Sequence, residues 1–270
     1  MTGTTDPPPV WRCYPYGAHP AQAADLALPP SGPARGVVLL IHGGYWRARY
    51  DRSLQHDVAA DLVSAGWAVW NLGYRGVGPG PTSGGGWPDT YRDVAAGIDA
   101  LAPVAAEHRL DLGVLVALGH SAGGALALWA AGRHRLPAGV PGAGPRVSPS
   151  AVIAQAAICD LDAGARQALG AGAIVDLMGA HPDAAPDRYA LASPAALLPL
   201  GVPVLLVTGA GDDTVPVQQS AAFAAAAGRA GDDVRLEIVP GEGHFGHLDP
   251  GSASWAVALA WLDGVRDGLR

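Results

Sequence analysis

No lysine occurs anywhere in this sequence; all seventeen basic residues are arginine. That absence excludes Schiff-base and pyridoxal phosphate chemistry, the phosphate-binding loop and the kinase strand lysine, each of which needs an amine from the chain itself. Cysteine is almost as scarce. Cys13 and Cys159 are the only two, too few and too far apart for an all-cysteine zinc site or a disulfide framework, so a reducing compartment is the simpler expectation. Only 15% of residues are charged, and twenty-four acidic side chains against seventeen basic ones leave a formal net charge of −7. A surface of that sign does not work by neutralising phosphates or coating an anionic bilayer, and neither nucleic acid nor membrane is expected as a partner. No run reaches the roughly eighteen apolar residues of a membrane span, and the start has neither a basic n-region nor an apolar h-region. The expectation is a soluble, cytoplasmic protein.

What the sequence does have is apolar residues, 49% of 270, enough to bury roughly 70 to 75% of the unfolded surface without a metal or disulfide staple. Residues 1–10 are rich in Thr and Pro and read as a loose lead, and 11–270 read as one domain. Within it, Val37 to His42, Ala68 to Leu72, Val114 to Leu118, Ala151 to Ile158, Val204 to Thr208 and Val234 to Val239 are short runs apolar on both faces, as strands of a parallel sheet are. Helical patterns alternate with them: Ser53 to Ala65, with Leu54, Val58 and Leu62 at spacing four; Asp89 to His108; Ala122 to Ala131; Val217 to Ala227; and Ser252 to Val265, with Ser252 as N-cap. The fold class that follows is α/β, a doubly wound, mostly parallel sheet with helices on both faces. Arg75 to Trp87 and Gly132 to Pro149 read as loops, and residues 159–200, with helical pieces but no strand, as a small cap.

The strongest chemical signal is Gly119-His120-Ser121-Ala122-Gly123, between a predicted strand and a predicted apolar helix. A nucleophile on so sharp a turn needs small neighbours on both sides. Ser121 would expose its hydroxyl there, and the Ala122 N–H, at a helix N-terminus, would face a developing oxyanion. A serine needs a base, and the base needs an orienting carboxylate. Asp212 follows the fifth predicted strand and His244 the sixth, so Ser121, Asp212 and His244 all sit at C-terminal strand ends, which a parallel sheet gathers on one edge. His42-Gly43-Gly44-Tyr45-Trp46 ends the first predicted strand, and its glycines let backbone N–H groups turn inward; Gly44 and Tyr45 join Ala122 as candidate oxyanion donors.

These residues together resemble the α/β-hydrolase superfamily, and within it the esterase and kynurenine formamidase-like group. The group's His-Gly-Gly-x-Trp motif is matched by His42 to Trp46, and its early Tyr-Gly-x-x-Pro-x-Gln-x-x-Asp-Leu stretch resembles Tyr16 to Leu26, with His19 before Pro20. Asp212 to Pro216 is instead more similar to general esterases and peptidases of the superfamily. The resemblance runs from about Tyr14 to Pro250. It implies a Ser121–Asp212–His244 triad, an oxyanion hole of Gly44, Tyr45 and Ala122, and hydrolysis of a small-molecule ester or amide through an acyl-enzyme, with no metal or organic cofactor.

Each residue also has a plainer reading. Ser121 could be an inert turn serine on a non-catalytic small-ligand binding protein that keeps the hydrolase fold. Asp213 could replace Asp212 as the acid, and Asp160 could cap a helix. His247, three residues beyond His244, is expected to be a surface or loop histidine, His120 to pack beneath the nucleophile and His42 to hold the glycine turn. Trp67, Trp70, Trp129, Trp255 and Trp261 sit at element spacing, as core residues do. Trp46 and Trp87, on loops at the active edge, are the substrate-pocket candidates, and no charged residue marks itself as lining that pocket.

Overall fold

The computed structural model describes residues 10–269, so nearly all of the expected lead lies outside the described residues. In chain order the elements are β1 (Trp11–Pro15), β2 (Ala23–Ala27), β3 (Val37–Ile41), α1 (His56–Ser64), β4 (Ala68–Leu72), α2 (Asp89–Asp99), α3 (Leu101–His108), β5 (Leu115–His120) and α4 (Ala122–Gly132). Then come β6 (Ala151–Gln155), α5 (Leu161–Arg166), α6 (Leu169–Met178), α7 (Pro186–Ala192), β7 (Val204–Gly209), α8 (Val217–Ala230), β8 (Val234–Val239) and α9 (Ala253–Leu269). One eight-stranded sheet runs in the order β1-β2-β4-β3-β5-β6-β7-β8. The pairs β1–β2 and β2–β4 are antiparallel and the rest parallel. This is the doubly wound α/β-hydrolase fold.

Strand alternation divides the core between the two faces. Val37, Leu39 and Ile41 of β3 pack with α2, α3, α4 and α8, whereas Val38 and Leu40 pack with α1 and α9. The central strands are buried on both sides, which is why they read as unbroken apolar runs. Trp67, Trp70, Trp129 and Trp255 are all buried; at about 25 cal/mol per Å², one such indole contributes roughly 5 kcal/mol of gross stabilisation. Ser252 Oγ accepts the Trp255 N–H at 3.0 Å, opening α9 where the capping signal placed it. Among the described residues no helix is long and apolar enough to cross a membrane.

Four expectations differ from the structure. The antiparallel β1 and β2 were not anticipated, because Arg12, Pro15 and Asp25 interrupt any apolar run there. The helix expected over Asp89 to His108 is two, α2 and α3, joined at Ala100: Pro103 has no N–H to return to Asp99. Leu54 does not share the buried stripe of Val58 and Leu62. It sits in a preceding 3₁₀ turn, Arg52–Gln55, whose tighter winding puts it out of phase with α1, and it is 39% exposed. Finally, β8 is an edge strand with half-exposed residues, not a fully buried one.

Three helices, α5 to α7, lie between β6 and β7, where the cap-like insertion was expected. Between them and the sheet edge the Arg75 to Trp87 loop is pinned: Arg75 pairs with Asp93 at 2.7 Å and Trp87 N–H donates to Leu177 O at 2.6 Å. The chain over Ala168 to Gly172 is left-handed at Ala168, Gly170, Ala171 and Gly172, and Gly170 packs against the Tyr45 ring.

Candidate active site

Ser121 is the single residue between β5 and α4, at φ 56° and ψ −119°. For a serine this is a strained backbone, costing on the order of 1–3 kcal/mol, and it persists because its surroundings over-determine it. The Ser121 N–H donates to Gln155 O on β6 at 2.7 Å, and Ser121 O accepts from Ala125 N at 3.2 Å. A Cβ on Gly119 would strike the Gly123 carbonyl, and one on Gly123 would strike the carbonyls of Ile41 and His42. The turn therefore exists only with hydrogen at both positions, which is the physical content of the flanking glycines.

Asp212 and His244 extend from the ends of β7 and β8. His244 Nδ1 lies 2.8 Å from Asp212 Oδ2, with both side chains buried. Asp212 Oδ1 accepts from Thr214 N at 2.9 Å and Val215 N at 2.8 Å. Burial pushes this carboxyl up, but the hydrogen bonds from His244, Val215 and Thr214 outweigh it and hold the group below the usual carboxylate value. Against a fixed anion, a neutral His244 presents Nδ1–H to Asp212 and keeps a lone pair on Nε2. Asp213 is exposed and meets only the Thr214 hydroxyl, at 3.1 Å. Asp160 caps α5, accepting from Ala163 N at 3.1 Å.

Ser121 and His244 line one cavity of about 220 Å³, together with Gly44 and Tyr45. No hydrogen bond joins Ser121 Oγ to His244 here; such contacts are commonly loose before substrate binds. Tyr45, at φ 51°, reaches across the site and donates its hydroxyl to Thr214 O at 2.9 Å, tying the glycine loop to the Asp212 loop. The His42 ring stacks on Tyr74 at 4.2 Å, with Nδ1 2.9 Å from Gly43 O, as a residue that holds the turn would. Ala122 begins α4, its N–H among the unpaired donors of a first helical turn. A larger cleft, about 430 Å³, lies at the opposite end of β7 beside Trp261 and contains none of these residues.

Both tryptophan candidates for the pocket are corrected. Trp46, at φ 55°, turns into the core and is 1% exposed. Trp87 packs edge-on against Tyr91, ring centroids 5.1 Å apart, away from the cavity. His247 is also corrected: it is buried in a 3₁₀ turn, its ring 5.7 Å from that of His120. The wall instead includes residues that sequence reasoning passed over, among them Arg47, Arg49, Tyr50, Thr214 and Phe245. Their signal was adjacency, since Thr214 and Phe245 stand beside Asp212 and His244, and Arg47 to Tyr50 directly follow the glycine motif. Among the described residues no three His, Cys, Asp or Glu side chains gather as metal ligands would.

His120 donates Nε2–H to His244 O at 2.8 Å and so fixes the backbone of the candidate base. Burial, then the neighbouring His244 and His247, holds His120 down to about 3. Burial likewise holds His247 and His42 to about 4. Below the free-histidine value of about 6.5 the unfolded chain binds protons that these folded imidazoles refuse, so stability is lost as pH falls, by up to about 1.4 kcal/mol per pH unit for each group. The urea midpoint is expected to be clearly lower at pH 5 than at pH 7; equal midpoints would contradict this burial.

The BD-FAE family model matches residues 24–226. The chain belongs to the BD-FAE family. No curated protein matches the sequence. Among solved structures, this BD-FAE chain is similar to a truncated carbohydrate esterase from gut microbiota, at 21% identity and TM-score 0.78 over 95% of this chain and 96% of that one. It is also similar to esterase B from Lactobacillus rhamnosis, at 22% identity and TM-score 0.80 over 97% and 86%. A third similar structure is a thermophilic esterase from Thermogutta terrifontis with butyrate bound, at 21% identity and TM-score 0.72 over 96% and 93%. At these identities the likeness is one of fold.

Proposed function

We propose that this BD-FAE protein is a serine hydrolase of small carboxylic esters. The observation that carries the reading is the His244–Asp212 hydrogen bond at 2.8 Å beside a cavity that also holds Ser121 at the strained turn. Ser121 Oγ attacks the ester carbonyl carbon as His244 Nε2 takes its proton, and the N–H groups of Gly44, Tyr45 and Ala122 receive the oxyanion. The imidazolium, held by Asp212, then protonates the leaving alkoxide as the C–O bond breaks. Water, deprotonated by the same Nε2, attacks the acyl carbon, and the imidazolium returns that proton to Ser121 Oγ as the acyl C–Oγ bond breaks and the acid leaves.

Two observations support esters over aryl formamides. The early stretch that resembles formamidases serves the scaffold: Tyr16 donates its hydroxyl to Gly73 O at 2.6 Å, and Gln22 Nε2 donates to Asp93 Oδ1 at 2.7 Å, beneath Arg75. Neither lines the cavity. Its volume of about 220 Å³ is also below the range of roughly 300 to 1,000 Å³ usual for drug-sized ligands, which suits a short acyl group. The solved esterases of the same fold agree with that choice.

The test is kcat/KM for 4-nitrophenyl esters of increasing acyl length beside N-formylkynurenine, with fluorophosphonate labelling in parallel. Acetate and butyrate esters are expected to be turned over best, with activity declining for longer chains. Formamide turnover exceeding that of every ester would reverse the substrate assignment. A folded protein that resists the fluorophosphonate and hydrolyses nothing would instead favour a non-catalytic ligand-binding role.

A further inference from the structure

Two arginines, Arg47 and Arg49, line the cavity beside Ser121, and among the described residues no carboxylate does. In a chain of net charge −7 that is a local reversal of sign. The two arginines are not equivalent. Arg47 is neutralised by Asp176 on α6, Nη1 to Oδ2 at 2.7 Å. Arg49 forms no salt bridge among the described residues, and neither do Arg12, Arg109, Arg135, Arg146, Arg188 and Arg229, but of these only Arg49 lines the cavity. Its guanidinium lies over the Tyr50 ring, 4.8 Å from the centroid.

That stacking holds the cation against a residue of the cavity wall. The Tyr50 ring itself covers Gly44: a Cβ on Gly44 would lie only 2.5 Å from Tyr50 Cδ2. Gly44 and the Arg49 guanidinium thus both pack on Tyr50, and all three residues line the cavity. Stacking on a ring face leaves the edge of the planar guanidinium, with its N–H fork, free to bind a carboxylate in bidentate fashion. Away from Ser121, His244 and Thr214 the wall also carries apolar side chains. Leu54 and Phe245, 39% and 68% exposed, are two of the four large hydrophobic side chains exposed among the described residues, and Leu248 lies with them. A ligand with an apolar body and one anionic end matches these features.

We propose that Arg49 is a specificity-determining residue that binds a carboxylate on the substrate, so that the preferred substrates are acidic esters: half-esters of dicarboxylic acids, or acyl esters of hydroxy acids. The proposal rests on the ester hydrolase reading above and names the substrate class of that same site. Arg49 acts in binding alone and takes no part in bond making or breaking.

Two substrate pairs that differ in charge but hardly in size test it. 4-Acetoxybenzoate against 4-acetoxybenzamide places the charge on the leaving group; monomethyl adipate against its monoamide places it on the acyl group. In at least one pair, kcat/KM for the carboxylate is expected to exceed that for the amide by about tenfold or more, the value of one charge-assisted hydrogen bond. Arg49→Ala should bring the ratio to about 1, Arg49→Glu should invert it, and Arg49→Lys should keep part of it. High salt should shrink it in the native protein, since an exposed charge is screened. Where turnover is slow, protection against fluorophosphonate labelling by each carboxylate and its amide gives the same ratio. A native ratio near 1 in both pairs, or a ratio that survives Arg49→Ala, makes Arg49 an ordinary solvated arginine and overturns the proposal while leaving the hydrolase standing. Failure of the hydrolase reading is distinct: none of the four esters is turned over and the fluorophosphonate does not label.

Discussion

Ser121→Ala is expected to lower kcat for a short-chain ester by about 10⁶, the loss seen when a triad nucleophile is removed. The structure makes this a test of chemistry more than of folding. Ser121 Oγ holds no hydrogen bond to His244, and the bonds that fix the turn come from the residue's backbone, to Gln155 and Ala125. Alanine removes one oxygen and leaves those bonds in place, and it meets the same backbone strain at φ 56° that serine does. The variant should therefore unfold within about 1 kcal/mol of the parent while losing both turnover and fluorophosphonate labelling. The oxyanion donors would remain, so a residual rate above that in water is also expected. Turnover within tenfold of the parent, with a normal unfolding curve, would remove Ser121 as nucleophile.

How much of this could be read in advance follows from where the physics is local. Gly119 to Gly123 was readable because the turn's steric demand falls on residues next to the serine. Asp212 and His244 were readable because parallel strands bring their C-terminal ends together, a rule of topology that needs no coordinates. The preference for Asp212 over Asp213 rests on its spacing to Val215 and Pro216, a local feature, and in the structure it is Asp212 that accepts from Thr214 N and Val215 N while facing His244. The pocket wall was different. A residue lines a cavity because of what crosses it from another part of the chain, and nothing within Arg47-Ala48-Arg49-Tyr50 announces that Tyr50 covers Gly44. Trp46 shows the same limit: its loop position suggested exposure, but left-handed φ values at Tyr45 and Trp46 turn the indole inward. His247 is buried beside His120 and next to α9, and the antiparallel β1 and β2 depend on the pairing of β2 with β4; neither shows as local periodicity.

Asp212→Asn is expected to cost about 10⁴ in kcat although it keeps the side chain's shape, through the tautomer it imposes. Asp212 Oδ1 already accepts two backbone N–H groups, from Thr214 and Val215. An asparagine at this position must keep its oxygen toward those donors, because its amide nitrogen cannot accept from them. Its NH₂ is therefore directed at His244 Nδ1, where Asp212 Oδ2 now stands. Facing a donor, Nδ1 must present its lone pair, so the imidazole proton moves to Nε2, the atom that has to accept the Ser121 proton. The base is then blocked by a hydrogen bond that is satisfied and in the wrong sense. Nitrogen chemical shifts of His244 should report the exchange directly, with the proton on Nδ1 in the parent and on Nε2 in the variant. Asp213→Asn, at an exposed residue that meets only the Thr214 hydroxyl, should leave kcat within about twofold, as surface substitutions away from a site do. If Asp213→Asn proved the damaging change and Asp212→Asn the mild one, the His244–Asp212 contact would be structural, and the acid that orients the base would have to be sought elsewhere on the sheet edge.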